Sequence, residues 1–373
     1  MRILSVSTVM NTVLSVVLAI AILLVMITVH EFGHYVAGKI LKFKINEFAI
    51  GFGPKLFKRT SKRSGEAFSI RLFPLGGFCA FDGEDAEGEN ENSFNHKAPW
   101  KRIIVLIAGP LMNYILALLL IIIAFFAFGQ MTFKVGAVAP APAESAYAEY
   151  CLEEGDLICS VDGRGIYLTT DLLTALKGKS EGEKVKMTVI RGGEKQKIEV
   201  MMRADCDIKN SEEVSKVWNA LGIGTYEAED GNAYWAVGVE SCRFGFFDTI
   251  GRSFVYSFRI AGTIFKVLGE LLTGHLGLSA MGGPVTTIKL TSEIASQSVQ
   301  SFFEIAAYIG VNLAVFNLLP IPALDGSKVI FCLIEWIFRK PVPRKVEAII
   351  HAVGFVLILA FAILTDILQF ARC

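Results

Sequence analysis

Long uncharged runs dominate the hydrophobic pattern of the chain and predict membrane-spanning helices. No charged side chain lies between Arg2 and His30. A helix needs about 20 predominantly apolar residues to cross roughly 30 Å of hydrocarbon. We identify such segments at about Val6–Val29, Ile103–Phe128, Ile305–Leu319 and Ala348–Leu364. The first is longer than the apolar part of a signal peptide, and no A-x-A-like cleavage site follows it, so we interpret it as a retained span.

Basic residues predict the orientation of these spans. The stretch 39–102 and the short loop after the third span are both rich in Lys and Arg. Cytoplasmic loops carry this excess, and four spans place both loops on the same side. We therefore expect both termini and residues 129–300 to lie outside, and the end of the first span near His30 to lie on the cytoplasmic side.

Two segments outside the spans have strand-like patterns. Phe68–Leu72 alternates apolar with polar residues, which indicates a half-buried strand, and Pro74–Phe78 is an apolar turn. We expect this hairpin to dip into the membrane interface, and the acidic stretch Asp82–Glu91 to form a solvated loop. Residues 133–203 combine short β-type runs with one helical pattern at Leu168–Leu176, which indicates a small soluble domain.

The apolar segment 244–276 is not a clean span. Its charged residues Asp248, Arg252, Arg259, Lys266 and Glu270 share one helical face, opposite phenylalanines and isoleucines. A helix lying in the outer interface fits this pattern better than a fifth span, which is the alternative.

Composition agrees with an integral membrane protein that also has water-soluble mass. Hydrophobic residues make up 53% of the 373 residues and charged residues 19%, against about a quarter charged in soluble domains. Lys+Arg and Asp+Glu are equal at 36 each, so no basic field attracts nucleic acid. The seven cysteines show no CxxC spacing, and we predict no disulfide framework.

The chemistry of the chain is concentrated in His30-Glu31-Phe32-Gly33-His34, at the end of the first uncharged run. Positions i and i+4 share a helical face, so His30 and His34 can bind one metal ion, as in other His-Glu-x-x-His proteins. A catalytic zinc ion takes three protein ligands, activates water and polarises a carbonyl. We predict that Glu31 is the general base that takes the proton from the water and delivers it to the leaving amine.

Asp325 is the best candidate for the third ligand. It follows Pro320-Ile321-Pro322, which cannot continue an α-helix, so we expect it on an unwound turn at membrane depth. A carboxylate and irregular backbone are tolerated there only where they line a polar cavity or bind something. Two histidines and a carboxylate also suit non-haem iron, but the adjoining Glu31 favours hydrolysis and therefore Zn²⁺.

Together these features resemble the bacterial site-2 proteases, intramembrane zinc metalloproteases of the regulator-of-sigma-E protease type. The resemblance covers nearly the whole chain. Its landmarks are the HEFGH motif, the Leu-Asp-Gly motif at Leu324–Gly326 and a PDZ-like insert, which is marked by Ala141–Ala143, Glu154–Ile158 and Val161–Gly163. Further landmarks are the following runs: Gly51–Pro54, Pro74–Gly77, Ala108–Asn113, Gly283-Pro284 and Asn317–Gly326. This chain has Ser327-Lys328 where the family often continues Gly-His or Gly-Arg, which leaves the predicted ligand unaffected.

The resemblance implies zinc ligation by His30, His34 and Asp325, with Glu31 catalytic. It implies that Asn317 helps to bind or orient the substrate and that a membrane-re-entrant β element holds the substrate as an extended strand. The β-element residues concerned are Pro74, Leu75, Gly76, Gly77 and Phe78. It implies single-span membrane substrates, such as anti-sigma factors in regulated intramembrane proteolysis, and signal-peptide remnants. The PDZ domain would bind peptide tails, as a dock or a size filter.

The predicted fold class is an α-helical polytopic membrane protein with about four transmembrane helices, a membrane-associated β element and an inserted α/β PDZ domain. The predicted segments are 1–38 and 103–129 for the first two helices, 39–102 for the cytoplasmic loop, 130–205 for the PDZ-like domain, 206–300 for the extracytoplasmic segment and 301–373 for the last two helices.

Two other function classes remain open. An inactive PDZ-containing membrane scaffold has no need of Glu31, and a metal transporter should show internal repeats, of which we find none. A structural hydrogen bond is the alternative role for Asn317, and we interpret Asn113 as a structural contact between helices. His96, His275 and His351 receive no role from the sequence.

Overall fold

The computed structural model describes residues 6–84, 91–142, 144–210, 213–228, 231–277 and 282–371, except for the side chains of 6–12, 75, 344 and 370. Most of the predicted acidic loop and Ala143 of the PDZ-like pattern lie outside the described residues. The helices are α1 (Val6–Ile40), α2 (Pro99–Phe128), α3 (Ala146–Glu149), α4 (Thr169–Leu176), α5 (Val214–Ala220), α6 (Phe246–Leu272), α7 (Pro284–Ala295), α8 (Val299–Leu318), α9 (Asp325–Phe338) and α10 (Arg344–Phe370). The strands are β1 (Ile45–Thr60), β2 (Ala67–Phe81), β3 (Gln130–Val135), β4 (Leu157–Val161), β5 (Arg164–Gly165), β6 (Lys184–Arg191), β7 (Glu194–Met201), β8 (Thr225–Glu227), β9 (Ala233–Trp235) and β10 (Val237–Cys242).

Within the described residues, four helices are long and apolar enough to cross a membrane, which confirms the predicted number of spans. They are Val13–Ile40 in α1, Pro99–Phe128 in α2, Val299–Leu318 in α8 and Lys345–Gln369 in α10. The helices extend beyond the apolar runs because polar residues continue them at their ends. The HEFGH motif therefore lies inside α1, which continues to Ile40, and not at the end of the helix.

The chain divides into two compact units, Met1–Ile121 with Leu278–Cys373, and Ile122–Gly277. In the first unit, α1 packs against α2, α7 and α8 through a cluster that includes Met26, Ala295, Ala306 and Ile309. Two helices here were missed in the sequence, α7 and α9, because each is shorter than a span. The carboxylate of Asp366 on α10 accepts hydrogen bonds from the first amides of α7.

Strands β1 and β2 form the predicted β element, with more strand than the sequence indicated. Ile50 is paired with both Ile70 and Gly77, so the chain reverses between these two residues, as the Pro74–Phe78 turn predicted. Ile70 is likewise paired with both Ile50 and Phe57. The two long strands thus make four paired segments, with Gly51 at φ +86° next to a carbonyl that a side chain would meet.

The second unit contains, among its described residues, a six-stranded antiparallel sheet in the order β10-β3-β4-β6-β7, with β5 paired to β4. Its core includes Leu172 and Leu176 of α4 and also Trp218 and Ile223. The sheet and its core therefore extend past residue 205, the predicted end of the PDZ-like domain. The strand pattern at 237–242 was too short and too polar to assign from sequence.

An ion pair in this sheet yields a prediction about its stability. Asp156 is fully buried and accepts two hydrogen bonds from Arg191, at 2.8 Å each, whereas Lys134 and Glu240 form a pair on the surface. Asp156→Ala removes the acceptor of these two hydrogen bonds and of a third from the backbone N–H of Glu153, and each donor left without its acceptor costs about 1–3 kcal/mol. We therefore expect the substitution to lower the free energy of unfolding of this unit by about 3 kcal/mol. Glu240→Gln should change it by less than about 1 kcal/mol. Pulse proteolysis of the full chain in denaturant measures both, and equal effects would contradict the prediction.

Candidate metal centre

Three predicted ligands from two distant parts of the chain meet at one point. His30 Nε2 lies 3.1 Å from Asp325 Oδ2, His34 Nε2 lies 3.4 Å from the same oxygen, and the two imidazole nitrogens are 3.1 Å apart. A tetrahedral zinc ion with bonds of about 2.0–2.1 Å places its ligand atoms about 3.3 Å apart. The triangle therefore has the size of one face of a zinc coordination sphere.

The donor set also fits a zinc ion chemically. Asp325 Oδ2 is buried, and no described donor meets it with hydrogen-bond geometry. A buried carboxylate oxygen without a donor is costly, and a cation removes that cost. Two imidazoles and one carboxylate are a common catalytic zinc set, with the fourth position open for water or substrate.

The position of His34 is fixed from the side that faces away from the triangle. His34 Nδ1 lies 2.8 Å from the backbone carbonyl of Val105 on α2. This carbonyl can only accept, so the proton resides on Nδ1 and the lone pair of Nε2 points toward the other ligands. The His30 Nδ1 is 3.5 Å from the amide of Asn317 on α8, so Asn317 lies beside the centre.

Glycine allows α2 to cross α1 at this level. A Cβ on Gly33 would meet the Ala108 carbonyl, and a Cβ on Gly109 would meet the ring of His34 and, at 3.0 Å, that of His30. Small residues let membrane helices approach closely. The Ala108-Gly109-Pro110 run was visible in the sequence, but its contact with the histidines was not.

Asp325 reaches the triangle because the chain bends sharply before it. Helix α8 ends at Leu318, and Asp325 is the first residue of α9. Asp325 therefore begins a helix, whereas the sequence predicts an unwound turn at this position. Only the segment between the two helices, which contains Pro320 and Pro322, is unwound. A Cβ on Gly326 would meet the carbonyls of Leu318 and Leu319, so the Asp-Gly pair is required for the chain to fold back. Cys332 anchors α9, because its side chain is buried in a hydrophobic cluster with residues of α1, α2 and the β element.

Glu31 lies between the metal triangle and the β element. A Cβ on Gly77 would be 3.4 Å from Glu31 Cγ, and the backbone of Cys79 hydrogen-bonds to the Glu31 carboxylate. The segment that contains Gly77 and Cys79 therefore lies beside the predicted general base. Of the other predicted substrate-binding residues, Phe78 stacks on Phe52, Pro74 is exposed and Gly76 is buried, and the side chain of Leu75 is not described.

A polar cluster holds the segments of the β element together. Glu47 accepts hydrogen bonds from Ser69 at 2.6 Å, from Arg71 at 3.0 Å and from Lys55 at 3.0 Å. Partial burial by itself raises the pKa of the Glu47 carboxyl, but these hydrogen bonds outweigh it and lower the pKa to about 2. Glu47 therefore stays ionised at all physiological pH values and ties the start of β1 to the start of β2.

The comparisons with known proteins agree with this geometry. The family model for Peptidase family M50 matches residues 18–361. A relative from Clostridium perfringens is 34% identical over 92% of this chain and 94% of its own, and one from Nostoc sp. is 33% identical over 94% of each. Both are named "putative zinc metalloprotease". A solution structure from Geobacillus thermodenitrificans covers 18% of this chain and 78% of its own at 25% identity, with a TM-score of 0.15, which carries no argument about the fold.

A His-His-carboxylate cluster between apolar helices, with a glutamate beside it, defines a membrane-embedded metallohydrolase. The chain belongs to peptidase family M50, the site-2 protease family, and is a multi-pass zinc metalloprotease. The predicted resemblance and the predicted Zn²⁺ are confirmed.

The close approach of Gly109 to the histidines can be tested by adding one methyl group. We expect Gly109→Ala to displace the His34 ring and to weaken zinc affinity about 10- to 100-fold, the range typical for groups that orient metal ligands. Zinc competition with a chelator measures this in the purified full chain. The matched control is Gly262→Ala on α6, where a Cβ meets nothing within 4 Å. Unchanged affinity in Gly109→Ala would contradict the packing described.

Proposed function

We propose that the protein is an intramembrane protease that hydrolyses peptide bonds within transmembrane segments of single-span membrane proteins. The observation that carries the proposal is the position of the His30, His34 and Asp325 cluster. Both histidines lie inside a helix that can cross a membrane, and Asp325 follows another such helix after a short irregular segment. A substrate that reaches these residues is therefore itself in the membrane.

In the proposed reaction, His30, His34 and Asp325 hold the metal and Glu31 moves the proton. Zinc, when bound, supplies Lewis-acid activation of water and of the scissile carbonyl. Glu31 accepts the proton from the attacking water and donates it to the leaving amine. Val105 holds the proton of His34 at Nδ1, and the Asn317 amide faces His30, where it orients the imidazole and the substrate.

The β element is the proposed binding site for the substrate backbone. The segment Gly77–Phe81 is paired with Ile45–Ile50 on one side, and Cys79 faces Glu31 on the other. Among the described residues no strand covers this second edge. An extended substrate can add to such an edge through main-chain hydrogen bonds, which brings its peptide bonds to Glu31. We propose Pro74–Phe78 as the turn that leads the substrate in.

The second unit is proposed to contain the PDZ domain. An antiparallel sheet with the helix α4 packed on it supports this assignment, as do the runs Glu154–Ile158 and Val161–Gly163, which resemble the bacterial PDZ pattern. A pocket of about 400 Å³ is lined by Ala139, Leu152, Arg203 and neighbouring residues. We propose that this domain docks peptide tails or filters substrates by size.

Helix α6 is proposed to lie in the membrane interface. Its small residues Ser253 and Ser257 are buried within the unit, while Phe247 is 84% exposed and Phe258 64% exposed. An exposed aromatic face beside charged residues is typical of interfacial helices. With the basic loops on the cytoplasmic side, we propose the bacterial inner membrane as the location and the outside as the position of the second unit.

The proposed substrates are anti-sigma factors in regulated intramembrane proteolysis and signal-peptide remnants. The class rests on the intramembrane position of the centre and on the family. An inactive PDZ-containing scaffold is the second candidate. The placement of Glu31 between the metal triangle and a sheet edge that no described strand covers argues against it, since a scaffold needs neither.

Replacing the general base separates a protease from a scaffold. We expect Glu31→Gln to keep zinc but to reduce cleavage of a single-span reporter in proteoliposomes by at least about 100-fold, the usual contribution of a general base. Glu293→Gln, an exposed change on α7, should cleave normally. If Glu31→Gln cleaves at the wild-type rate, the proposed mechanism is wrong.

Removing the third ligand tests the metal assignment. We expect Asp325→Ala to lose most of its zinc after dialysis, because two imidazoles alone do not complete a catalytic zinc site. Elemental analysis of the purified chain gives the zinc content per molecule. Asp248→Ala, an exposed aspartate on α6, is the control. A full zinc complement in Asp325→Ala would remove Asp325 from the ligand set.

A further inference from the structure

The loop that delivers Asp325 contains a strained residue. Ala323, two positions before the ligand, has φ +76°, a left-handed conformation that residues other than glycine adopt at an energetic cost. Such a conformation persists only where neighbouring groups hold it. Within the loop, the amide of Leu324 donates to the carbonyl of Ile321 and the amide of Ser327 to that of Leu324. Among the described residues no backbone carbonyl accepts from the Ala323 amide, so this amide needs a side-chain partner.

That partner is a histidine on α10. The Ala323 N–H donates to His351 Nδ1 at 3.0 Å. The imidazole side chain is 18% exposed and stands edge-on to Phe331 of α9, with ring centroids 5.8 Å apart. The ring is therefore fixed between two helices, with its acceptor nitrogen directed at the loop.

A second contact brings α10 close to the same loop. A Cβ on Gly354, nearly one helical turn after His351, would meet the side chain and backbone of Pro322. Gly354 thus lets the helix approach the proline segment closely enough for the imidazole to reach the Ala323 amide. The two contacts act on neighbouring loop residues from one helix face.

We propose that His351 is a positioning residue for the metal centre. It acts through Ala323: by accepting the Ala323 N–H, it holds the left-handed turn that starts α9 at Asp325 and so fixes the ligand carboxylate opposite the two imidazoles. His351 does not touch the metal triangle, and the sequence offered no motif that connects it to Asp325. The inference rests on the proposed ligand role of Asp325.

The test measures zinc release to a chelator from the purified full chain, which does not depend on activity. We expect His351→Leu, of similar size but without an acceptor, to release zinc at least about 10-fold faster than wild type. His351→Asn places its Oδ1 near the position of Nδ1 and should stay within about 3-fold of wild type. His275→Leu, an exposed imidazole of the other unit, is the control for loss of a histidine.

A second substitution tests the route through Ala323. Glycine adopts positive φ without strain, so Ala323→Gly in the His351→Leu background should restore much of the zinc retention. Wild-type zinc release in His351→Leu, equal impairment in His351→Asn, or no restoration by Ala323→Gly would each overturn the inference. The proposed metal centre is tested separately, and it is wrong if wild type holds no more zinc than Asp325→Ala. Should His351→Leu fail to fold, the comparison of His351→Asn with His351→Gln, whose acceptor lies one bond farther out, decides the same question.

Discussion

The meeting of Asp325 with the two imidazoles of α1 is the constraint on which the first unit depends. A carboxylate inside a membrane costs as much as roughly 2.5–3.5 kcal/mol on insertion scales, the value at the helix centre, and Asp325 Oδ2 has no described hydrogen-bond donor to offset this cost. A divalent cation held jointly with His30 and His34 offsets it. The close helix contacts at Gly33 and Gly109 then follow, because each brings backbone or ligand groups to distances that a side chain would prevent.

The segment between α8 and α9 shows how a broken helix serves this constraint. In a continuous helix the direction of each side chain is fixed by the helical geometry. Pro320 and Pro322 have no backbone N–H to donate, so they end the hydrogen bonding of α8 and free the next residues from that geometry. The new helix begins at Asp325 itself, and Gly326 lets it fold back onto the end of α8. Irregular backbone at this depth must be satisfied by protein groups, and the acceptor on α10 fills that role for Ala323.

The predictable part of the site is the part that local periodicity encodes. His30 and His34 share a face because they are four residues apart, and the prolines before Asp325 mark the break, so the three ligands followed from spacing and polarity. The contacts of Val105, Gly109, Cys79 and His351 were not predictable, because a carbonyl, an amide or an isolated histidine carries no periodic signal of its partner in another element.

For the fold, the sequence predicted the four spans but not the residues at which the helices end, because polar first and last turns continue the helices beyond the apolar run. The doubled pairing of β1 and β2 was missed because its reversals depend on glycine conformations and not on alternation.

Peptide hydrolysis in a membrane poses a problem that the β element addresses. A transmembrane substrate satisfies its backbone groups as a helix, and a helical peptide bond is shielded from a general base. Unwinding exposes amides and carbonyls in a medium that offers no water, and each unpaired group costs several kcal/mol. In the proposed reaction, the edge of Gly77–Phe81 that no described strand covers pairs with those groups as they are released, beside Glu31. Substrate binding and substrate unwinding are then one process, which favours segments that leave the helical state easily and makes helix stability in the substrate a determinant of cleavage.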